Sequence, residues 1–328
     1  MMTEIKLLNK IGKAGIDRFD GAKYTLSEDA ASPAGILVRS AAMHEMTFGP
    51  ELLAIARAGA GTNNIPIDEC TRRGIVVFNT PGANANAVAE LVICGLMLGS
   101  RNVAGGIDWA RTLDGQGAEV AKLVEKGKAQ FAGPEVRGKT LGVIGLGAIG
   151  AIVANAAAQG LGMNVIGYDP FISVESAWSL SRAIKRSSSV DEIYRTADYI
   201  TVHVPLTDAT RGMLGESAIA QMKDGVYLLN TSRGMLVESE ALLDALKSGK
   251  IAGAGLDVYE EETDFFFEDR SDMVKRDTLL SLLVSMPNVV LTSHQAFLTK
   301  EALHNIAQVT LENLDAYFKD GTVLNPVQ

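Results

Sequence analysis

Three side chains suited to proton transfer and anion binding each follow a short apolar run that predicts a buried strand. They are Arg233, Glu262 and His294. An arginine binds a carboxylate and polarises a keto oxygen, and a histidine, with an unperturbed pKa of ~6.5, can give a proton to a developing alkoxide. A carboxylate on the other ring nitrogen fixes the tautomer and stabilises the imidazolium. These residue types fit hydride transfer to or from a 2-keto acid, with the hydride supplied by a nicotinamide.

A glycine-rich turn predicts the place for that nicotinamide cofactor. Gly145, Gly147 and Gly150 have G-x-G-x-x-G spacing between an apolar strand and an alanine-rich helix. In a dinucleotide-binding unit the first glycine allows the tight turn, the second admits the pyrophosphate, and the third lets the helix approach the strand. The helix N-terminus then attracts the phosphates. Asp169, roughly 20 residues further on, can bind the ribose hydroxyls and would repel a 2′-phosphate, so the pattern predicts NAD rather than NADP. The alternative is a glycine-rich turn in an unrelated α/β protein.

The elements that must position these residues form two α/β patterns. In the second half of the chain strands and helices alternate, which predicts a doubly wound parallel sheet of the Rossmann type. The residues before a long apolar helix, predicted over 84–101, form a smaller α/β unit, and the last helix, predicted over 300–318, is expected to return to it. We therefore predict a discontinuous substrate domain at 1–102 and 297–328 and an NAD-binding domain at 103–296. The predicted strands are 36–38, 55–58, 75–78, 141–144, 163–167, 199–202, 226–229, 251–255 and 289–291.

Residues 103–133 are more polar and give little strand signal, so we predict helices on the outside of the larger domain. Their apolar side chains would be available to a second copy of the chain, which permits a homodimer. These residues are Ile107, Trp109, Leu113, Val120 and Leu123.

Composition limits the partners. The chain of 328 residues is 47% apolar and has a formal net charge of −9, which argues against nucleic acid or an anionic membrane because both need a basic face. No uninterrupted apolar run reaches the ~18 residues of a membrane span, and no secretory signal is evident. The two cysteines form no framework, Cys94 is expected to be a buried thiol, and the four histidines lack zinc spacing. We expect a cytoplasmic enzyme without a metal.

The motifs carry a family resemblance over essentially the whole chain. The sequence resembles the D-isomer-specific 2-hydroxyacid dehydrogenases in VRSA (38–41), RAGAGTNNI (57–65), FNTPGANANAVAEL (78–91), GLGAIG (145–150), HVPLT (203–207), NTSRG (230–234), GLDVYEEE (255–262) and SHQAF (293–297). The resemblance implies a Rossmann NAD-binding domain, a smaller flavodoxin-like α/β substrate domain and a homodimer.

The resemblance also implies roles for individual residues. Arg233, Glu262 and His294 would be the catalytic set, and Glu262 is chosen over the two preceding glutamates because it lies five residues after Asp257. The expected cofactor contacts are Gly145, Gly147, Ala148, Ile149, Gly150, Asp169, His203, Val204, Pro205, Thr231, Ser232 and Asp257. The expected substrate contacts are Arg39, Ser40, Ala60, Gly61, Asn84 and Phe297.

Four of these residues have a plain structural alternative. His203 could pack at a strand end instead of lining the cofactor site, and Asn84 could cap the helix that it precedes. Arg39 could be a solvated charge after a strand, because one arginine is a weak phosphate signal. Phe297 could close a core instead of lining a small apolar substrate pocket.

The substrate is the open question within the family. Residues 1 to about 230 resemble bacterial 3-phosphoglycerate dehydrogenases, whereas the remainder resembles fermentative D-lactate dehydrogenases. We prefer 3-phosphoglycerate and 3-phosphohydroxypyruvate, hence serine biosynthesis, because most pocket-lining loops of the small domain follow that pattern and Arg39 could meet a phosphate. D-Lactate and pyruvate are the alternative pair. An alternative from another class is a NAD-sensing binding protein, like the transcriptional corepressors that share this fold.

Overall fold

The structure of the chain, a computed structural model, describes residues 2–9, 13–260 and 278–327. It separates into two compact units. Unit 1 comprises Met1–Ala87 and Phe297–Gln328, and unit 2 comprises Val88–Ala296. The sequence places the first boundary later, after residue 102. The structure divides the chain earlier because Val92 and Leu96 of the long helix are buried in the core of unit 2.

Unit 1 is built on one sheet. Within the described residues its strands are β1 (Thr3–Leu8), β2 (Tyr24–Ser27), β3 (Gly35–Val38), β4 (Ala54–Arg57), β5 (Val76–Phe78) and β13 (Pro326–Val327). The spatial order is β13-β5-β4-β3-β1-β2, and β13 is antiparallel to β5 while the other pairs are parallel. The parallel strands thus stand in the order 2-1-3-4-5 of flavodoxin-like folds, which confirms the expected smaller domain.

The last helix of the chain completes the core of unit 1. The helices of this unit are α1 (Lys13–Ile16), α2 (Ile67–Arg72) and α12 (Lys300–Asp320), and α3 (Ala85–Ser100) begins here and continues into unit 2. Leu314 of α12 is fully buried in one apolar cluster with Leu37 and Phe78. The last helix of the chain therefore packs on residues of its first part. The helix ends at Gly321, whose φ of 79° is the left-handed conformation that favours glycine.

Unit 2 contains a larger parallel sheet. Its described strands are β6 (Thr140–Ile144), β7 (Asn164–Tyr168), β8 (Lys185–Arg186), β9 (Tyr199–Val202), β10 (Val226–Asn230), β11 (Ile251–Leu256) and β12 (Val289–Leu291). They stand in the order β12-β11-β10-β9-β6-β7-β8. This is the doubly wound Rossmann order, which confirms the predicted fold class. The central strands are buried along their length, as expected for a parallel sheet covered on both faces.

The helices of unit 2 cover this sheet and add an outer segment. They are α4 (Val103–Arg111), α5 (Val120–Gly127), α6 (Ala148–Asn155), α7 (Val174–Ser179), α8 (Val190–Thr196), α9 (Glu216–Gln221), α10 (Ser239–Ser248) and α11 (Thr278–Ser285). The alanine-rich helix predicted after the glycine turn is α-helical only to Asn155 and continues as a π-helical turn over Ala156–Gly160. None of the residues of α4 and α5 is buried, so this segment lies on the surface of unit 2, as predicted.

Each sheet has one place where the strand order reverses. It lies between β1 and β3 in unit 1 and between β6 and β9 in unit 2. Doubly wound sheets bind their ligands beyond the carboxyl ends of the strands at this place. The residues found there are Asn9 and Arg39 in unit 1 and Gly145 and His203 in unit 2.

The prediction that Cys94 on helix α3 is a buried thiol is wrong. Cys94 is exposed on this helix rather than buried, whereas Cys70 is buried. An apolar helix predicts that some face is covered, but not which face. Across the described ranges no single helix is long and apolar enough to cross a membrane, and α3 passes that test only together with α4, at an angle of 66°.

Candidate active site

The glycine turn after β6 has the geometry that its sequence predicts. Gly145 has a φ of 92°, in the left-handed region, and a Cβ there would lie 2.7 Å from the carbonyl oxygen of His203. A Cβ at Gly150 would overlap the carbonyl oxygen of Gly145. Both positions therefore require glycine because the turn, the first turn of α6 and the loop after β9 approach one another closely.

The middle glycine leaves open space instead. A Cβ at Gly147 would meet no atom within 4 Å, and both Gly147 and Ala148 are exposed at the N-terminus of α6. The unpaired N–H groups of a helix N-terminus and its partial positive charge attract phosphate. Ile149 turns inward and packs against the core of unit 2. A phosphate group can therefore approach the backbone at Gly147 without meeting a side chain.

Asp169 lies beside the turn, at the end of β7. Its Oδ2 accepts a hydrogen bond from the N–H of Leu146 at 2.9 Å, and its Oδ1 accepts one from the N–H of Phe171 at 2.8 Å. These bonds fix the carboxylate next to the glycine turn. Each carboxylate oxygen can accept more than one hydrogen bond, so the group can still bind ribose hydroxyls.

The loops after β9 and β10 meet next to the turn. The hydroxyl of Ser232 donates to the carbonyl oxygen of Val204 at 2.7 Å, and Pro205 follows on the exposed side. The hydroxyl of Thr231 is buried and has no hydrogen-bond partner among the described residues. A buried hydroxyl that is left unpaired costs free energy unless a ligand or water binds it, so Thr231 fits a ligand contact.

His203 is held as a neutral imidazole. Its ring nitrogen Nε2 is hydrogen-bonded to the hydroxyl of Thr201 at 3.0 Å. Burial lowers the pKa of His203 to about 4, because the interior disfavours the charged form. The residue lies at the edge of the glycine turn, and its chemistry at neutral pH is that of an uncharged polar group.

Arg233 is presented by a loop that Asn230 shapes. The side chain of Asn230 is buried at the end of β10, where its Oδ1 accepts the N–H of Ser232 at 3.0 Å and its Nδ2 donates to the carbonyl oxygen of Arg233 at 2.9 Å. Nη1 of Arg233 donates to the carbonyl oxygen of Ser232 at 2.7 Å. The arginine is partly buried, and its loop is closed from within by the asparagine.

His294 is presented by the loop after β12. Its φ of 51° is in the left-handed region, which is uncommon for a residue with a side chain. Its N–H donates to the carbonyl oxygen of Asp257 at 2.8 Å, and Nδ1 of its ring is buried. Asp257 follows β11, so β10, β11 and β12 bring Arg233 and His294 to the same edge of the sheet of unit 2.

The third predicted catalytic residue, Glu262, lies outside the described residues. Its neighbour Glu260 is described, and its Oε2 accepts the N–H of Ser239 at 3.0 Å. Glu260 therefore caps the start of α10, where a carboxylate also interacts favourably with the helix dipole.

Unit 1 places the predicted substrate residues after β3 and β4. The Oδ1 of Asn9 accepts the N–H groups of Ser40 and Ala41 at 3.1 and 2.6 Å and thereby fixes the loop that carries Arg39. Ala60 is exposed in the next loop, where its carbonyl oxygen accepts Nδ2 of Asn79 at 2.7 Å. The partly exposed Gly61 follows it, and Asn84 lies in the turn before α3, with no side-chain hydrogen bond to another described residue.

Arg39 stacks on an aromatic ring. Its guanidinium carbon lies 5.1 Å from the centroid of the Phe297 ring, within the range of a cation–π interaction. Arg39 is partly buried and forms no ion pair with any residue in the described part of the chain. A partly buried cation without an acidic partner favours an anionic ligand.

Three residues at strand ends, Asn9 and Arg57 in unit 1 and Asn230 in unit 2, are not predicted from the sequence. Arg57 pairs with Val38 across β3 and β4, so it stands next to the strand that leads to Arg39. Its Nη1 donates to the carbonyl oxygen of Ala58 at 3.2 Å, and the guanidinium lies where a Cβ of Gly59 would be. Arg57 opens RAGAGTNNI and Asn230 opens NTSRG, so a signal was present: each is the polar last residue of an apolar strand.

Comparison with known proteins gives consistent matches. The family model described as "D-isomer specific 2-hydroxyacid dehydrogenase, NAD binding domain" matches residues 103–296. An aromatic 2-oxoacid reductase of Clostridium sporogenes is 40% identical over 83% of this chain and 77% of its own length. A D-3-phosphoglycerate dehydrogenase of Methanocaldococcus jannaschii is 38% identical over 84% of this chain, which spans 48% of that relative.

A solved structure extends the match over the fold. D-lactate dehydrogenase from Aquifex aeolicus, complexed with NAD and lactic acid, has a TM-score of 0.79 and 26% identity, covering 97% of this chain and 96% of that chain. NAD is therefore the cofactor of this chain. The open N-terminus of α6 and the buried hydroxyl of Thr231 are features of unit 2 that fit it.

The Gly147→Ala substitution separates cofactor binding from folding. The new Cβ meets no protein atom and the φ of −70° suits alanine, so the melting temperature should change little. If the pyrophosphate lies against this backbone, the Kd for NADH should rise ~10-fold or more. Gly160→Ala, where a Cβ also meets no atom within 4 Å, is the matched control and should leave the Kd unchanged. Equal Kd values for both variants, measured by NADH fluorescence, would contradict this placement.

The buried imidazole of His203 predicts a pH dependence of stability. The folded chain binds its proton only near pH 4, whereas the unfolded chain binds it near pH ~6.5, so the free energy of unfolding should fall as the pH falls through this window. Between about pH 7 and about pH 5 the loss is ~2 kcal/mol. His203→Gln should remove this part of the slope in urea unfolding, and His44→Gln, at an exposed histidine, should retain it. Parallel slopes for wild type and His203→Gln would contradict the assignment.

Proposed function

The chain belongs to the D-isomer specific 2-hydroxyacid dehydrogenase family, and from that premise we propose that it interconverts 3-phosphoglycerate and 3-phosphohydroxypyruvate with NAD(H). The family places it among the NAD-dependent oxidoreductases that act on small 2-hydroxyacids and 2-oxoacids. The choice of this substrate pair is carried by the guanidinium of Arg39, which has no acidic partner among the described residues. On this proposal the enzyme works in the cytoplasm, in serine biosynthesis.

The anionic substrate is supported by the charge at the strand ends of unit 1. Arg39 follows β3 at the place where the strand order reverses, where a ligand of this fold is expected. Arg57 ends the adjacent strand β4. A guanidinium presents several N–H donors in one plane and binds carboxylate or phosphate through two parallel hydrogen bonds. The backbone of Ala60 and Gly61 is proposed to contact the substrate carboxylate.

In the proposed reaction unit 2 supplies the acid–base chemistry. Arg233 binds the substrate carboxylate and polarises the keto oxygen, and His294 donates a proton to that oxygen as it becomes an alkoxide. In the oxidation direction His294 takes the proton back. Glu262 is proposed to orient the imidazole of His294. NADH, bound along the glycine turn, supplies the hydride that adds to the carbonyl carbon.

A second substrate class is favoured by one specific contact. The Phe297 ring lies beside Arg39, and an apolar wall at this position suits pyruvate or an aromatic 2-oxoacid. One relative is named an aromatic 2-oxoacid reductase and a structural neighbour is a D-lactate dehydrogenase. A phosphorylated 2-oxoacid requires the positive charge of Arg39, whereas pyruvate and aromatic 2-oxoacids do not. Substitution of Arg39 can therefore distinguish the two substrate classes.

A substrate panel with an arginine variant tests the proposal. With NADH, kcat/KM for 3-phosphohydroxypyruvate should exceed the values for pyruvate and phenylpyruvate. Arg39→Ala should lower the first value ~10- to 100-fold, because a hydrogen-bonded charge is lost, and should change the others little. Arg73→Ala is the control, since Arg73 also stacks on a phenylalanine, Phe48, but is paired with Glu69 at 3.5 Å.

Two results would contradict the proposal. A large preference of the wild type for pyruvate or phenylpyruvate, with Arg39→Ala nearly neutral, would establish the second substrate class. Tight NADH binding without turnover of any of the three 2-oxoacids would favour the NAD-sensing binding protein.

A homodimer through unit 2 is part of the proposal. Helix α4 leaves Ile107 47% exposed, and the Trp109 ring packs at a tilt against the ring of Phe131, with the centroids 5.3 Å apart, without being buried. An exposed apolar segment of this kind suits contact with a second copy of the chain.

Light scattering after size exclusion should give twice the mass of the chain at micromolar concentration. Ile107→Asp should shift the mass toward the monomer, because an interfacial charge is left unpaired. Val174→Asp, at another exposed apolar residue of unit 2, should not. A monomeric wild type, or dimers in both variants, would contradict the predicted interface.

A further inference from the structure

Two fully buried polar side chains stand at the carboxyl ends of neighbouring strands of unit 2. They are Asn230, the last residue of β10, and Asp257, which follows β11, and each is 1% exposed. Buried polar groups persist where hydrogen bonds satisfy them. The partners of these two groups are specific, because nearly all of them lie in the loops that carry Arg233 and His294.

Asn230 closes the arginine loop. Its amide oxygen accepts the N–H of Ser232 and its amide nitrogen donates to the carbonyl oxygen of Arg233, at 3.0 and 2.9 Å. Both ends of the amide are used, so the side chain acts as a template for a turn over these three residues. The direction in which the chain leaves β10, and hence the position of the Arg233 guanidinium, depends on this template.

Asp257 closes the histidine loop. Its Oδ1 accepts the hydroxyl of Thr292 at 2.5 Å and the N–H of Gln295 at 2.8 Å, and its Oδ2 accepts the N–H of Ala296 at 2.8 Å. Its main-chain oxygen accepts the N–H of His294 at 2.8 Å. The residues bound by Asp257 flank His294 on both sides.

The backbone conformation of His294 explains why the loop needs these hydrogen bonds to Asp257. Its φ of 51° is disfavoured for a residue with a Cβ and persists only where the surroundings impose it. Hydrogen bonds from residues 292, 295 and 296 to one carboxylate draw the loop around Asp257, with His294 at its apex. A neutral amide in place of the carboxylate cannot accept all of them, since one of its two ends is a donor.

A backbone hydrogen bond connects Asn230 and Asp257. The N–H of Asp257 donates to the carbonyl oxygen of Asn230 at 2.9 Å. The backbone that carries one buried side chain is thus hydrogen-bonded to the backbone that carries the other. A displacement of either loop would be transmitted to its neighbour through this bond.

We propose that Asn230 and Asp257 form a positioning pair, in which Asn230 sets Arg233 for the substrate carboxylate and Asp257 sets His294 for proton transfer. This inference rests on the proposed roles of Arg233 and His294. It gives Asp257 a task other than the cofactor contact that the family resemblance implies, because its carboxylate is 1% exposed and binds three donors of the loop that carries His294. Misplacement of a reacting group by ~1 Å can lower the rate ~100-fold, so the pair affects turnover without touching substrate.

The test compares Asp257→Asn and Asn230→Asp with wild type, using the 2-oxoacid of the panel that gives the highest turnover. Asp257→Asn should lower kcat ~100-fold, while the Kd for NADH changes less than ~3-fold. Asn230→Asp keeps the acceptor for Ser232 but loses the donor to Arg233, so it should raise KM for the 2-oxoacid ~10-fold or more. Thr292→Val removes a single bond to Asp257 and should give an intermediate loss of kcat, even if Asp257→Asn does not fold.

Asp198→Asn is the matched structural control. Asp198 also accepts a backbone N–H, that of Thr140 at 2.8 Å, and pairs with Lys223 at 3.0 Å, but it lies at the amino end of β9. This variant should lower the melting temperature and leave kcat and KM within ~2-fold of wild type. If Asp257 had only a structural role, Asp257→Asn would also lower the melting temperature and leave kcat and KM within ~2-fold of wild type. That outcome would overturn the inference.

Two further outcomes are distinguishable. A ~10-fold or larger increase in the Kd for NADH with Asp257→Asn, and an unchanged kcat at saturating NADH, would assign Asp257 to the cofactor and overturn the inference. If His294→Gln retains full turnover, the proposed function fails at its acid–base residue, and the positioning role falls with it. Loss of turnover in His294→Gln with full turnover in Asp257→Asn and Thr292→Val overturns the positioning role alone.

Discussion

The parallel direction of the strands is the constraint on which the site of each unit depends. In a parallel sheet every strand ends at the same edge, so side chains that are distant in sequence come together there without any direct contact between the helices that follow. In unit 2 this edge collects the glycine turn after β6, the loop of Arg233 after β10 and the loop of His294 after β12. In unit 1 the same geometry puts Arg39 and Arg57 at the ends of two adjacent strands. The direction of the strands thus brings charged side chains, the open backbone at Gly147 and the imidazole of His294 to the carboxyl edges of their sheets.

Strand direction alone does not fix the loops, and polar side chains at the strand ends do. The exposed Asn9 and the buried Asn230 and Asp257 each use side-chain oxygen atoms to bind backbone N–H groups of a loop that carries a proposed site residue. A buried acceptor that loses its donors is costly, so the loop conformation and the burial of the side chain stabilise each other. This arrangement holds His294 in a backbone conformation that the chain would otherwise avoid.

Much of this could be predicted because the signals are local. The requirement for glycine at 145 and 150 follows from the motif, and the strands of unit 2 end within about two residues of their predicted ends because they are continuous apolar runs. The remainder depends on tertiary contacts. The short edge strand β8 has two exposed basic residues and no apolar signal. The exposure of Cys94 depends on which face of α3 is covered, and Arg57 acquires its position only when β4 pairs with β3.

Amide hydrogen exchange of the full chain with and without NADH tests the placement of the cofactor most directly. The account predicts that NADH slows exchange at the carboxyl edge of unit 2, in the segments 145–150, 203–205 and 231–233. It predicts no change at the amino ends of the same strands, around residues 138–140 and 223–226. Protection at the amino ends, or none at the segment 145–150, would contradict the central claim that the carboxyl edge of this sheet is the site.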